Sequence, residues 1–293
     1  MKKVFLILLA FCILFVPGKY VFAEDVQKEE LQNGKTHINY PIDAATQKLI
    51  DEKQKLEDLY FKAKEGKISV DILHSAEQNF DKAHNTKLSD KDYSIISTKS
   101  NSQKTNNVSP QTNYSNFIFD LYQEPQQKSY YCGPATACMI IKAKSISITQ
   151  SQAAASLGTE IDKETPWYRS ASVGYPMANT LNSYESTSWY IPYGTNVEAA
   201  TFLDHVVFDI DHDYGVAGDA NEVKGGPHLN GHPDQNIFHW FAIDGYTDNM
   251  ANVHYADPVS GASSISWSGN VPQYSKIYYQ TLATIVDGRG IIW

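Results

Sequence analysis

The stretch QQKSYYCGPATACMII, residues 126–141, constrains the fold most, because a cysteine stands directly before a Gly-Pro pair and a helix-forming run. Proline is favoured in the first turn of a helix, so the stretch predicts a helix that begins at or near Cys132. Free backbone N–H groups and the helix dipole at this position stabilise a thiolate and lower the thiol pKa. Gly133 is expected to keep the approach to the sulfur open. The polar flank indicates a surface-reaching loop, which favours Cys132 as a nucleophile over a core cysteine.

The N-terminus has the layout of a secretory signal peptide. Two lysines precede an apolar run at residues 4–16, Pro17-Gly18 ends the run, and Val21 and Ala23 suit signal peptidase. The run is short for a membrane span. We therefore expect residues 1–23 to be removed, with no stable membrane insertion afterwards, and a mature protein that is secreted, extracellular or associated with the cell wall.

Export decides how the three cysteines are interpreted. Cys12 would leave with the signal peptide, and an oxidising compartment favours a disulfide between the other two. If the stretch from Cys132 is helical, however, Cys132 and Cys138 lie on opposing faces and cannot form a bridge without distortion. We expect Cys138 to be a buried core thiol and Cys132 to be free.

The charge of the chain argues against nucleic acid as a partner. The formal net charge is −9, and arginine occurs only at Arg169 and Arg289. Binding to phosphates requires clustered basic side chains, and no such cluster is evident. The sequence also predicts no metal ion and no organic cofactor, and it leaves the oligomeric state open.

Residues 24–97 predict a short helical segment ahead of the main domain. Apolar residues at 45, 49, 56, 60 and 63 recur at helical spacing, Gly66 provides a stop, and a second helix is expected over about 70–83. Two such helices bury little alone, so they must pack on the following domain or stay loosely ordered. The segment could be a propeptide, a surface-binding module or a spacer. A polar linker is expected at 98–116, followed by one globular domain at 117–293.

A nucleophilic cysteine requires a base, and FHWFAIDGYTDNMANVHYADP provides one. His239 begins a strand-like run, TDNMAN favours a turn, and a second strand leads to Asp257. With the turn centred at Asp248, an antiparallel hairpin sets His239 and Asp257 directly opposite each other. Asp257 would then orient the imidazole, whose other nitrogen faces Cys132.

The developing oxyanion requires hydrogen-bond donors as well. The backbone N–H of Cys132 is one donor. The side-chain amide of Gln126, six residues upstream, is the better candidate for the second, with Gln127 as the alternative.

Other acidic and histidine residues near this hairpin are assigned structural roles. Asp244 and Asp248 are expected in or near the turn, and His254 is expected to be a satisfied histidine within a strand. His205 and His212 are expected at a helix end and loop, either structural or exposed.

The segment GGPHLNGHPDQN places His228 and His232 four residues apart. Gly231 and Pro233 oppose a helix, and no third ligand is evident, so a zinc site is not favoured. We expect a mobile loop that enters the cleft just before His239 and gates substrate.

In combination, Gln126 with YYCGPATACMI, HWFAIDGY from His239, and YADP at 255–258 resemble the C39-like cysteine peptidases of bacteria, within the papain-like superfamily. The resemblance covers about residues 117–293, including ITQSQAAASLGT and YPMANTLN. It implies an α+β, papain-like fold in which a helix with Cys132 packs on an antiparallel sheet carrying His239 and Asp257. By analogy, Gln126 would be the oxyanion residue. The best-known members are fused to transporter domains and trim double-glycine leader peptides. This sequence is more similar to the free-standing, exported form.

The sequence thus predicts a secreted cysteine peptidase that hydrolyses amide bonds of a peptide or protein substrate through Cys132, His239 and Asp257. The first alternative is a peptidoglycan amide hydrolase that acts on cell-wall peptides, and transglutaminase-like chemistry ranks below it. A catalytically inactive extracellular binding module is the non-enzymatic alternative.

Overall fold

The computed structural model describes residues 27–30, 35–90, 115–161 and 163–293. The signal peptide expected at 1–23 and nearly all of the linker expected at 98–116 lie outside the described residues. In the described ranges, no helix has both the length and the apolar character that a membrane span requires.

The described residues form seven α-helices and nine β-strands, joined in places by short 3-10 turns. The helices are α1 (Ala44–Lys64), α2 (Val70–His84), α3 (Cys132–Ala143), α4 (Gln150–Leu157), α5 (Pro176–Glu185), α6 (Ala199–Asp211) and α7 (Tyr279–Val286). The strands are β1 (Gln27–Glu30), β2 (Thr36–Asn39), β3 (Asn116–Phe117), β4 (Pro192–Tyr193), β5 (Val216–Glu222), β6 (Ile237–Thr247), β7 (Asn252–Ala256), β8 (Tyr274–Tyr278) and β9 (Gly290–Ile292).

The main sheet is antiparallel throughout and has the order β4-β9-β5-β6-β7-β8, with β3 added beside β6. Every residue of β5 and the eight central residues of β6 are buried, so both faces of the sheet are covered there. Helices α3 and α6 both pack on β6. The fold is α+β, as predicted.

The N-terminal helices form at the expected positions and pack on the main domain. Asp43 caps α1 by accepting from two backbone N–H groups, and Gly66 follows the helix at a φ of 72°. The apolar faces of α1 and α2 enter the common core through Leu56, Tyr60 and Phe80, and α1 packs on α6. Residues 35–90 are therefore structurally continuous with the domain that follows.

Helix α3 begins at Cys132, as the Gly-Pro pair predicted. Pro134 occupies its first turn, where the missing N–H costs no helical hydrogen bond. The ten residues from Cys132 to Ile141 are all buried, so this helix has no solvent-facing side over that length. Cys138 is fully buried and unpaired, as expected.

The β6–β7 hairpin has a different register from the one predicted. Thr247 pairs with Asn252, so the turn is centred between Asn249 and Met250 and not at Asp248. Beyond a β-bulge at Asp244, Ala242 pairs with Ala256, and continuing this register places Asp257 opposite Phe241 and not opposite His239. The prediction of a directly facing pair is therefore wrong, because it placed the centre of the turn too early in the sequence.

Candidate active site

His239 and Asp257 meet diagonally across the hairpin. His239 and Phe241 share one face of β6, so the residue opposite Phe241 remains within reach of the imidazole. His239 Nε2 lies 3.0 Å from Asp257 Oδ1, and both side chains are buried. A carboxylate only accepts hydrogen bonds, so Nε2 carries the proton and Nδ1 is left as the basic nitrogen.

Cys132 lies beside the strand that carries His239. The backbone N–H groups of Trp240 and Gly133 are close enough to the Cys132 sulfur to stabilise its thiolate. Trp240 directly follows His239 in β6, so the start of α3 meets the strand next to the histidine. As the first residue of α3, Cys132 also presents a backbone N–H that has no acceptor within the helix.

The expectation of an exposed, acidic thiol at Cys132 is wrong for this conformation. Only 4% of the residue is exposed. Burial raises the pKa of the Cys132 thiol to about 12, and the negative charges of Glu164 and Asp219 add to the effect. The two nearby N–H groups oppose the shift without overcoming it. The thiol is therefore protonated at neutral pH in this conformation.

The segment around Thr165 covers the start of α3. A Cβ added at Gly133 would lie 2.2 Å from Thr165 Oγ1, so the threonine side chain fills the space that a larger residue would need. Thr165 is held by a hydrogen bond with Thr159, 2.7 Å between the hydroxyl oxygens, and its carbonyl accepts from Trp240 Nε1 at 3.1 Å. Gly133 thus makes room for this cover, instead of opening the approach to the sulfur as predicted.

A cavity of about 310 Å³ lies beside the cover. Its lining includes both carboxylates that act on Cys132, together with Thr165, Trp240, Phe238 and Arg289. Asp219 in this lining is buried, and burial raises its pKa to about 7 although Arg289 lies 3.7 Å away. Space for a ligand therefore lies beside Thr165 and Trp240, two residues that adjoin the start of α3.

Gln126 is near the site, but its side chain is engaged. Its amide nitrogen donates to the carbonyls of Lys128 and Ser129, at 2.9 and 3.0 Å, which uses both protons. Among the described residues, its buried side-chain oxygen has no hydrogen-bond partner. The Gln126 amide is therefore not free to bind an oxyanion in this conformation. The alternative, Gln127, is exposed, and its backbone N–H donates to Gln150.

His232 lies in the site, whereas His228 does not. His232 Nε2 is 3.0 Å from Asp257 Oδ2, and its Nδ1 is 2.9 Å from Glu222 Oε2. His228 instead bonds to backbone carbonyls of its own loop, at Gly226 and Gln235. The loop does enter the site, but Leu229 is buried and its N–H bonds to Glu222, so the expected mobile gate is replaced by an anchored segment.

His232, His239 and Asp257 also offer three potential metal-ligand atoms within 4.8 Å of one another. This set differs from the His228/His232 pair that was considered in the sequence. Both imidazole Nε2 atoms are already engaged with Asp257, so a cation would have to replace two hydrogen bonds.

Electrostatics in this cluster favour an ionised Asp257. Burial alone would raise its pKa, but the charge of His239 and the hydrogen bonds from both imidazoles outweigh burial and hold the pKa well below its ordinary range. Burial likewise opposes the imidazolium of His232, yet its bonds with Asp257 and Glu222 raise the pKa of His232 to about 9.

The acidic and histidine residues to which the sequence assigned structural roles have structural partners. Asp244 is at the bulge, 2.6 Å from His254 Nδ1, and Asp248 is in the turn. His205 and His212 are both buried, and they bond to Glu57 and Glu77 of the N-terminal helices.

The sequence interpretation missed Glu222 and the cover by Thr165. Glu222 ends β5, a strand that had not been identified, and only the β5–β6 pairing brings it to His232. Thr165 belongs to an irregular segment without periodicity. The spacing of His232 from His239 was the only local signal for its part in the site.

A family of known proteins and a solved structure match this chain. No curated protein matched the chain. A solved structure from Bacillus anthracis, described as that of a C39-like peptidase, matches with a TM-score of 0.40 and 10% identity over 61% of this chain and 96% of that chain. The model of the Peptidase_C39 like family matches residues 106–285, more than half of the chain, which supports a peptidase. The chain therefore belongs to the Peptidase_C39 like family.

Proposed function

We propose that the protein is a secreted cysteine peptidase that uses Cys132 as nucleophile, His239 as base and Asp257 as the residue that orients His239. The observation that carries this proposal is the buried 3.0 Å contact between His239 Nε2 and Asp257 Oδ1, next to the strand position where the Cys132 sulfur lies. This geometry leaves Nδ1 of His239 as the proton acceptor.

The proposed reaction has two stages. In the first, the sulfur of Cys132 bonds to the carbonyl carbon of the substrate while its proton passes to His239 Nδ1. His239 then protonates the leaving amine, and a thioester remains on Cys132. In the second, water gives a proton to His239 and attacks the thioester, and that proton returns to the departing sulfur. The products are an amine, a carboxylic acid and the original thiol.

Two rearrangements are required before the first stage. The cover around Thr165 has to move, because a peptide carbonyl needs access to a sulfur that is now buried. The oxyanion would be bound by the N–H of Cys132 and by the Gln126 amide, which has to release one of its two backbone acceptors. Both steps involve residues that adjoin the nucleophile, so substrate binding could supply the energy for them.

Alkylation of Cys132 by iodoacetamide tests this assignment without a known substrate. Labelling at pH 7, located by mass spectrometry, is compared in the wild type and in His239→Ala. We expect a decrease of at least about 100-fold, the lower end of the range for a general base. The same pair is made in a Thr165→Ala background, so that slow access does not mask the effect. Equal rates with and without His239, in both backgrounds, would refute the proposed base.

Two further measurements address the remaining parts of the proposal. Sequencing of protein recovered from culture medium should begin at Glu24 if the signal peptide is removed as expected. Cleavage of a denatured protein substrate, compared with cleavage of cell-wall peptides, separates a general peptidase from a peptidoglycan hydrolase, and Cys132→Ala should abolish either activity.

A further inference from the structure

We propose that His232 is a positioning residue of this active site, and that it holds Asp257 in place as an anion while Glu222 holds His232. The inference rests on the proposed function, because Asp257 is assumed to orient the base His239. The proposal adds the imidazole of His232 and the carboxylate of Glu222 to the set formed by Cys132, His239 and Asp257.

The hydrogen bonds of His232 fix its protonation state. Its Nδ1 faces Glu222 Oε2 at 2.9 Å, and its Nε2 faces Asp257 Oδ2 at 3.0 Å. Ionised carboxylates have no proton to donate, so both ring nitrogens must carry one. The side chain of His232 is buried, as is that of Glu222. His232 is therefore an imidazolium enclosed between two carboxylates.

Both carboxylate oxygens of Asp257 accept hydrogen bonds in this arrangement. Oδ1 receives His239 Nε2 and the backbone N–H of Val259, which lies 2.8 Å away, while Oδ2 receives only His232 among the described residues. Without His232, one buried oxygen of Asp257 would have no donor. An unsatisfied buried carboxylate oxygen is costly, so the carboxyl would rotate or take up a proton. Either change would weaken its hold on His239.

The charges around His232 partly compensate one another. Glu222 and Asp257 carry two negative charges, and the imidazolium of His232 lies between them with one positive charge. Since isolated charge is unfavourable in a buried site, this arrangement favours the imidazolium of His232 and the anion of Asp257 together. Tyr255, also near the loop, keeps its proton, because burial raises its pKa above its ordinary value.

The backbone conformation of the loop between β5 and β6 places His232 at this position. Gly231 has a φ of 86°, and a Cβ there would lie 2.2 Å from the carbonyl oxygen of Asn270. The preceding N–H groups are held by Glu222, at 2.6 Å from Leu229, and by the Tyr255 hydroxyl, at 2.9 Å from Asn230. Glu222 thus binds both the loop backbone and the imidazole that the loop carries.

Nuclear magnetic resonance of protein with ¹⁵N-labelled histidine rings tests the charge state directly. The His232 signals are assigned by their loss in His232→Gln. We expect both ring nitrogens to be protonated at pH 7.5, where an ordinary histidine has lost one proton. A neutral His232 ring at pH 7.5 would overturn the proposal, whether or not the protein is an active peptidase.

The functional part of the proposal is tested by the iodoacetamide labelling rate of Cys132 at pH 7. His232→Ala should decrease this rate by roughly 10–100-fold. Replacement of residues that hydrogen-bond to a metal ligand and orient it has effects of this size, and His232 is bonded to Asp257 in a comparable way. His232→Gln should recover part of it, because the glutamine amide can still donate to Asp257. Loss of the positive charge should also shift the pH profile of labelling to a different midpoint.

His228→Ala is the matched control, since it removes two hydrogen bonds from the same loop without touching Asp257. It should label like the wild type. If His228→Ala and His232→Ala decrease the rate equally, His232 only supports the loop and the proposal fails. If His239→Ala slows labelling but His232→Ala does not, this inference fails and the proposed function stands. If His239→Ala itself has no effect, the proposed function fails first.

Discussion

Lys53 offers the sharpest test of how the N-terminal helices are joined to the domain that follows. It lies on α1, and its Nζ is 2.9 Å from Asp209 Oδ1 on α6, with both side chains completely buried. The amine also lies over the rings of Trp189 and Trp293, at 3.8 and 4.1 Å. We predict that Lys53→Met is strongly destabilising.

The size of the effect follows from what the substitution leaves behind. Methionine keeps the unbranched stem, so little packing is lost, but Asp209 becomes a buried carboxylate without its cation. Removing one partner of a buried ion pair costs about 3–5 kcal/mol. We therefore expect the free energy of unfolding to fall by about 4 kcal/mol, which is a large part of the 5–15 kcal/mol typical of a folded protein.

Urea unfolding at pH 7 measures this loss. Burial lowers the pKa of Lys53 to about 8 despite its pairing with Asp209, so the amine is still mostly protonated at this pH. Adding Asp209→Asn removes the buried carboxylate charge that Lys53→Met leaves without a cation. The asparagine oxygen can still accept from Trp189, whose Nε1 lies 3.1 Å from Asp209. The double variant should therefore recover about 2 kcal/mol, within the range for coupled pairs.

Lys48→Met is the control on the same helix. Lys48 is 75% exposed and pairs with Glu52 at 3.6 Å, so its loss should cost less than about 0.5 kcal/mol. If Lys53→Met costs no more than this control, the buried pair does not stabilise the junction between α1 and α6, and our reasoning about the N-terminal helices is refuted.

Three further predictions concern the site. Thr165→Ala should speed iodoacetamide labelling of Cys132 by roughly fivefold, since one lost hydrogen bond is worth about 1 kcal/mol, whereas Thr165→Ser should not. The pKa of His232 is raised to about 9, so the stability it contributes is complete below about pH 6.5 and is lost as the pH rises through 9. That loss, about 3 kcal/mol in urea unfolding between pH 6 and 10, should disappear in His232→Gln. Gly231→Ala should slow the labelling of Cys132, because its Cβ would meet a carbonyl oxygen at 2.2 Å, while Gly225→Ala, at a φ of 81° with no atom within 4 Å, should leave it unchanged.

Local chemistry made the start of α3 predictable. A Gly-Pro pair after Cys132 has few interpretations other than a helix start, and α3 begins at that residue. The contact between His239 and Asp257 was also predictable, because the two residues flank one turn-rich segment. The register was not, because the sequence pattern does not distinguish a turn centred at Asp248 from one centred between Asn249 and Met250, and it does not reveal the bulge at Asp244.

Interactions between distant segments could not be recovered from the sequence. The polar flank of Cys132 indicated exposure, but Cys132 is buried, and Thr165, about thirty positions downstream, packs against the adjacent Gly133. Burial then outweighs the helix N-terminus, so the pKa of the thiol rises where a local argument lowers it. His232 was discounted as a zinc ligand because its helical partner was sought at His228, whereas its true partners lie on β5 and after β7.

The buried polar contacts between α1, α2 and α6 bear on the role of residues 24–97. Helix α6 and its C-terminal end present Asp209, His205 and His212 toward the N-terminal helices, where Lys53, Glu57 and Glu77 contact them within 2.7–3.1 Å. Removal of the N-terminal segment would leave all three side chains without these partners, at an apolar surface that the removal exposes.

A propeptide that is cleaved to activate a peptidase is expected to leave a stable domain behind. We therefore expect proteolysis between α2 and β3 to leave the two fragments associated, and a protein expressed from residue 115 onward to be unstable without the N-terminal helices. Gel filtration of the nicked protein checks the first expectation, and separation of the fragments would favour the propeptide interpretation.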